Sequence, residues 1–222
     1  NLDYAEQDYS LNLHGNYTVG AGSNVSWSVR GKASFNIGPA DTVTTVNGNL
    51  LLNSWHSGDL GHFTWDRSNS ILVNNTGTLY IGDYDEIGNL TRGGTNGSNN
   101  LTEFRLKDSS SITINGRGFS NTTFVQEGNS VLSINGSGMV FDGPLQVNGN
   151  SRVDVHSNLQ TRSNSYMTGG TINPYGNWIN TGSFNLQGGN VTAANGSLTN
   201  NGTVTQTGGN FSSKLTGSGT YN

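Results

Sequence analysis

The segment 109–119, Ser-Ser-Ser-Ile-Thr-Ile-Asn-Gly-Arg-Gly-Phe, returns in altered form at 129–139 as Asn-Ser-Val-Leu-Ser-Ile-Asn-Gly-Ser-Gly-Met. Both copies hold small polar residues, an apolar–polar–apolar triplet (Ile112 and Ile114, Leu132 and Ile134), then Asn-Gly-x-Gly and a large apolar residue. Alternation with period two followed by Asn and Gly reads as a strand and a corner. The triplet recurs as Val153-Asp154-Val155, and strands entered through Gly-Gly recur at Thr171-Ile172, Asn190-Val191 and Asn210-Phe211. Upstream, strand starts fall at Ser70-Ile71-Leu72-Val73, Asn49-Leu50-Leu51-Leu52 and Trp27-Ser28-Val29, with a weak link around Leu90. A spacing of roughly twenty residues punctuated by Gly and Asn is the signature of a solenoid, in which each repeat is one coil.

A solenoid also answers a problem of composition. Only 31% of the 222 residues are hydrophobic, against 33 glycines and as many asparagines, so an ordinary globular core is hard to fill. Each solenoid coil needs only a few inward side chains, because stacking on its neighbours completes the burial. Disorder is the other outcome of low apolar content. Disordered chains are rich in Pro, Lys and Glu, whereas this one has 3 prolines and 11% charged residues. The repeat running nearly end to end favours one elongated domain over 1–222. No stretch has a helical amphipathic period, so the expected fold is all-β: a parallel β-helix whose coils of roughly 20 residues hold three short strands and three turns. Asn and Gly tolerate the left-handed conformation such corners require, and Asn repeated at equivalent positions can stack as hydrogen-bonded ladders along the axis. Ten or so coils at about 4.8 Å each give a rod on the order of 50 Å. Crossovers between parallel strands are overwhelmingly right-handed, which sets the expected hand.

The bulk charges exclude several classes of function. Ten basic residues are scattered singly and the net charge is −4, whereas nucleic acid recognition needs clustered Lys and Arg. There is no Cys, hence no disulfide scaffold and no thiolate metal site. No apolar run reaches membrane-spanning length, so no membrane insertion is expected. A polar, Asn/Ser/Thr-rich chain that begins at Asn1 rather than Met is expected to be a processed or truncated product located outside the cell.

Taken in order, residues 1–40 already alternate, at Leu11-Asn12-Leu13, Tyr17-Thr18-Val19, Val25 to Val29 and Phe35-Asn36-Ile37. Residues 1–10 begin with a stretch that lacks this pattern and reads as a cap, a flexible arm or an assembly segment. The coils over 53–101 carry larger excursions, and insertions in solenoids commonly build the functional face. Over 102–222 the coils become regular. The last stretch continues the repeat to Asn222 with no polar cap, so its end is either the cut edge of a longer rod or a surface that stacks head to tail on another copy.

The run 196–205, Gly-Ser-Leu-Thr-Asn-Asn-Gly-Thr-Val-Thr, and its relatives resemble the repeats of right-handed parallel β-helices in bacterial secreted adhesins, the autotransporter passenger domains and haemagglutinin-like two-partner exoproteins. The resemblance covers about Val25 to Tyr221 and rests on period and composition. It implies a β-helix fold and a cell-surface location, and it supplies no ligand. No secretion-domain motif, β-barrel translocator or Arg-Gly-Asp triplet accompanies it.

Candidate chemistry concentrates in the excursions. Acid–base cleavage of a polysaccharide needs two carboxylates within roughly 5 to 10 Å. The acids weighed are Asp59, Asp66, Asp83, Asp85, Glu86, Asp142 and Asp154, with Asp66 and Asp85/Glu86 lying about one coil apart. Solvated loop charges are the plainer reading. The Asp83-x-Asp85-Glu86 oxygens could bind Ca²⁺ but lack the spacing of a calcium repeat. Trp55, His56, His62, Phe63 and Trp65 form the densest aromatic group, either stacking on sugar rings or packing inside a wider coil. A saccharide site would therefore draw on Trp55, His56, Trp65, Asp66, Asp85 and Glu86. Twelve Asn-x-Ser/Thr sequons begin at Asn16, Asn24, Asn74, Asn89, Asn96, Asn100, Asn121, Asn135, Asn190, Asn195, Asn201 and Asn210. In a cell with an oligosaccharyltransferase they are N-glycosylation sites; otherwise they read as ladder residues.

These features lead to one expectation and one alternative. The expectation is a non-enzymatic extracellular rod without cofactor or metal, a subunit or stalk of a surface fibre or adhesin whose partners are further copies of itself. The alternative is a β-helix that binds or cleaves carbohydrate, with surface glycans as partners.

Overall fold

The computed structural model describes residues 8–30, 32–38, 43–55, 70–73, 77–83, 102–115, 122–136, 138–192 and 195–222. The regular elements among them are all β-strands, assembled into parallel sheets that stack as a β-solenoid. Face I has ten strands, in axial order Tyr17–Val19, Val43–Val46, Ser70–Val73, Thr102–Leu106, Thr122–Gln126, Leu145–Val147, Ser165–Met167, Ser183–Leu186, Thr203–Gln206 and Thr220–Tyr221. Face II has nine: Asn24–Arg30, Asn49–Trp55, Thr78–Asp83, Ser111–Asn115, Val131–Ile134, Arg152–Val155, Thr171–Pro174, Asn190–Val191 and Asn210–Phe211. Face III has five: Met139–Phe141, Leu159–Thr161, Asn177–Asn180, Ser197–Asn200 and Lys214–Thr216. From Val131 onward the chain visits faces II, III and I in rotation, making about five turns of roughly 20 residues. A separate pair, Asp8–His14 with Lys32–Gly38, precedes face I in the chain just as face III does downstream. Residues 8–10 thus open a strand, while 1–7 lie outside the described residues.

The near-uniform spacing expected upstream is corrected by the strand pairing. The Trp27, Asn49, Ile112, Leu132, Val153, Ile172, Val191 and Phe211 segments do share face II. The Ser70 segment does not: it pairs with Val43–Val46 on face I, so its distance from Asn49 is a step between faces rather than a coil. The true face II partner of Asn49 is Thr78, and the partner of Thr78 is Ser111, a coil of 33 residues. The weak link at Leu90 falls inside that enlarged coil, among residues outside the described set. Apolar alternation reports a strand without reporting its face, which is why the two steps looked alike.

The interior is built from columns of like residues. On face II, Leu50, Leu79, Ile112, Leu132, Val153, Ile172 and Val191 are register partners in succession, all buried. Alternation in each triplet turns these side chains inward and the intervening polar ones outward. Aromatic rings fill the middle coils: Phe104 stacks on Phe124 at 5.2 Å, and Phe124 on Phe141 at 4.6 Å. Lower coils admit polar groups. Asn180 Nδ2 donates to Asn200 Oδ1 (2.9 Å) and to the carbonyls of Gly182 and Thr203 (both 3.2 Å), while Asn200 Nδ2 donates to the Thr220 carbonyl at 2.8 Å. Trp178, fully buried, donates its indole N–H to Thr161 Oγ1 at 3.0 Å. The expected asparagine ladder exists, and it lies inside the rod. A second runs outside, where Asn49 Nδ2 donates to Asn24 Oδ1 and Thr78 Oγ1 to Asn49 Oδ1, both at 2.6 Å.

Corners stack as the strands do. At the turn from face I to face II, Asp108 takes φ 56° where the next two coils place Gly128 (69°) and Gly149 (68°), a left-handed position that Gly occupies at little cost. At the turn from face III to face I, Asn180-Thr181-Gly182 lies under Asn200-Asn201-Gly202, where a Cβ on Gly202 would collide with the Gly182 carbonyl.

Two predictions follow from this packing. Gly202→Ala should cost about 3 kcal/mol or more, because a backbone carbonyl must move. Gly22→Ala, at φ +75° with open space around its Cβ, should cost only about 1 kcal/mol of conformational strain, and urea denaturation of the two variants measures the difference. Gln126 sits fully buried between Leu106 and Val147 on face I, with neither amide atom bonded to protein. Gln126→Met should therefore raise stability by about 1–3 kcal/mol, whereas Asn180→Leu, which removes bonds that are made, should lower it by a similar amount.

Candidate functional site

The residues that the sequence nominates for saccharide contact fall largely outside the described residues. His56, Trp65, Asp66, Asp85 and Glu86 are outside them, and of Trp55 only the backbone is described, ending a face II strand in register with Arg30. Asp59, His62 and Phe63 are likewise outside, and of Asp83 only the backbone is described, closing the strand Thr78–Asp83. The two remaining candidate acids are placed. Asp142 pairs with Arg162 Nη1 at 3.3 Å, one coil further on. Asp154 belongs to a more ordered arrangement on the outer surface of face II.

That arrangement starts from the strand Arg-Val-Asp-Val at 152–155. Val153 and Val155 point into the core, so Arg152 and Asp154 face outward. Asp154 nevertheless keeps only 8% side-chain exposure, because both carboxylate oxygens are engaged. Oδ2 lies 2.9 Å from Arg152 Nε, and Oδ1 accepts from Asn173 Nδ2 at 2.8 Å. Asn173 is the register partner of Asp154 on the next coil, and its own Oδ1 accepts from Thr192 Oγ1, a further coil on, at 2.9 Å. Charge and hydrogen bonds thus run axially across three coils. Just past the strand ends, the exposed rings of His156 and Tyr175 stack at 4.9 Å with 2° between their planes. Tyr175 is one of only three exposed large hydrophobic residues among those described, at 44%.

Face I carries a second polar group on its outer surface. Arg105 donates to Glu103 Oε1 at 2.8 Å and to Glu127 Oε1 at 2.7 Å, and Lys107 lies 3.8 Å from Glu127. The hydrogen bond that Arg105 donates to Glu103 is the main cause that raises the Arg105 pKa above its already high ordinary value, against the smaller opposing effect of burial; the charges of both glutamates and the hydrogen bond to Glu127 add to it. Further along the same face, Tyr166 donates its hydroxyl to Gln146 Oε1 at 2.6 Å.

No group of three His, Cys, Asp or Glu side chains that could hold a metal occurs among the described residues. The described sequon asparagines, Asn16, Asn24, Asn135, Asn190, Asn195, Asn201 and Asn210, are all exposed. Asn74, Asn89, Asn96, Asn100 and Asn121 lie outside the described residues. The ladder reading holds for Asn24, whereas the buried ladder is made by Asn180 and Asn200, which begin no sequon. The His156–Tyr175 stack was legible only as two aromatics 19 residues apart, matching one coil, at equivalent positions after the Val-Asp-Val and Ile-Asn-Pro strands.

No protein-family model, curated protein or solved structure matches this chain. The likeness of its repeats to secreted adhesins therefore extends as far as the fold, a parallel β-solenoid.

Proposed function

We propose that this chain is a structural rod of an extracellular surface fibre or adhesin, whose coils stack end to end with those of further copies. The observation that carries this reading is that the described coils are built one on another by the same parallel pairing, with inward residues in register, through to Asn210–Phe211, Lys214–Thr216 and Thr220–Tyr221. Leu215 is the register partner of the fully buried Leu198, and Tyr221 of the buried Val204. A parallel coil with apolar side chains in the inward positions is a template for one more coil. Association that adds the same patch each time without closing makes a filament. The tying of Glu103, Glu127, Asp142 and Asp154 into ion pairs supports a structural over a catalytic role. Electron microscopy and sedimentation over a range of concentrations test the reading. Wild-type protein should form linear assemblies, and the double variant Leu215→Glu/Tyr221→Glu should sediment as single rods. Dispersed wild-type rods at every concentration would end it.

A second reading, carbohydrate binding, is favoured by the exposed His156–Tyr175 stack beside the neutralised Arg152–Asp154–Asn173 row. Aromatic rings next to fixed planar donors and acceptors suit a neutral sugar, which offers apolar C–H faces and hydroxyl edges. Tyr175→Ala should reduce retention on immobilised neutral glucans and galactans at least tenfold while leaving the unfolding midpoint unchanged. Equal retention of variant and wild type, or no retention of either, dismisses it.

A further inference from the structure

Among the described residues, the asparagines that donate hydrogen bonds through their side-chain amide all lie outside the sequons. Asn49, Asn173, Asn180 and Asn200 donate hydrogen bonds through Nδ2, and none of them is followed two positions later by Ser or Thr. Among the described sequon asparagines, Asn16 and Asn24 lend only Oδ1, to the Val43 amide at 2.9 Å and to Asn49 Nδ2 at 2.6 Å. The other five, Asn135, Asn190, Asn195, Asn201 and Asn210, are exposed and make no side-chain hydrogen bond among the described residues. The rod thus draws its amide-nitrogen donors from non-sequon asparagines, although Asn148, Asn158, Asn164 and Asn177 among these lend only Oδ1, and it leaves the amide nitrogens of the described sequons in solvent.

We propose that these five asparagines are sites of N-linked glycosylation. The co-reactant is a polyprenyl-pyrophosphate-linked oligosaccharide. Asn Nδ2 forms a bond to the anomeric carbon as the bond from that carbon to the pyrophosphate oxygen breaks. The lipid pyrophosphate leaves with the electron pair, and one amide proton passes to solvent. No redox change is involved.

The coil geometry adds two restrictions. Asn190 and Asn210 are register partners on adjacent face II strands, which lie about 4.8 Å apart, too close for two branched glycans side by side. One molecule therefore carries a glycan at one of the pair. In three of the five tripeptides the hydroxyl is also committed in the closed coil. Thr192 Oγ1 donates to Asn173 Oδ1 at 2.9 Å, Ser197 Oγ to Asn177 Oδ1 at 3.1 Å and Ser212 Oγ to the Val191 carbonyl at 3.2 Å. Val191, between Asn190 and Thr192, is fully buried. At Asn190, Asn195 and Asn210 transfer accordingly precedes closure of the coil, which then folds with the sugar outside. This inference does not depend on end-to-end association.

Mass spectrometry of glycopeptides from the full-length protein isolated from its source cells tests the proposal. The expected result is glycan on peptides bearing Asn135, Asn195 and Asn201, and on either Asn190 or Asn210 in any one molecule. Bare asparagine at all five positions overturns the proposal, and both members of the pair modified together overturns the exclusion rule. A second experiment offers unglycosylated protein, folded or urea-unfolded, to a purified oligosaccharyltransferase with its lipid-linked donor. Transfer to the unfolded chain alone supports the order of events, and equal transfer to the folded rod overturns it.

Discussion

Everything in this molecule depends on hydrogen bonds that run along the axis from coil to coil. In a parallel sheet no strand satisfies its own N–H and C=O groups, so a single coil is unstable and a stack is not. The corners obey the same rule. At the turn from face I to face II, the first corner amide of each coil donates to the carbonyl ending the strand of the coil before: Asn47 to Val19, Lys107 to Val73, Glu127 to Leu106, Asn148 to Gln126, Thr168 to Val147, Gln187 to Met167 and Thr207 to Leu186. With strands and corners both pinned axially, a chain excursion has one outlet, away from the stack. That is why the partners Thr78 and Ser111 stay in register although 33 residues separate them.

Axial pinning also changes what the interior must supply. Because the backbone fixes the stacking, inward positions need only match the residue above and below. Aliphatic columns do this through contact, and the Asn180–Asn200 pair does it through hydrogen bonds whose carbonyl acceptors the corner already presents. A polar side chain placed inward without such acceptors is a defect, and Gln126 between Leu106 and Val147 is the clearest case. The low apolar content is therefore compatible with a well-ordered fold, provided that polar side chains enter the core where neighbouring coils present partners to them.

The sequence displays the face II strands of the lower coils, since each begins at a recognisable Ser or Gly-Gly corner. Strand positions near Ile112, Leu132, Val153, Ile172, Val191 and Phe211 were legible for that reason. Above Ser111 the corners lengthen, and a period of roughly twenty could be satisfied by stepping to the wrong face, as at Ser70. The outer surface was harder still. Nothing in Arg-Val-Asp-Val marks Asp154 as anchored rather than solvated, because its partner Asn173 is set by inter-coil register and by no local pattern. The dense aromatic group around Trp55 drew attention by composition, whereas the His156–Tyr175 pair is spread over two coils and emerges only when those coils are stacked.

The separation between axial bonding and outward display has a further consequence for how such a chain can vary. A residue whose side chain points outward at mid-strand stands apart from the apolar columns of the core, so its identity is freer to serve another purpose. The outward column that runs Arg105, Val125, Gln146, Tyr166 in register on face I changes character at every step without disturbing a pairing. The inward column of face II, by contrast, stays aliphatic without a break from Leu50 to Val191. Exposed asparagines at the corners belong to the free class, as do His156 and Tyr175. A solvent-facing ligand, a covalent sugar or a neighbouring rod are the kinds of partner their chemistry admits.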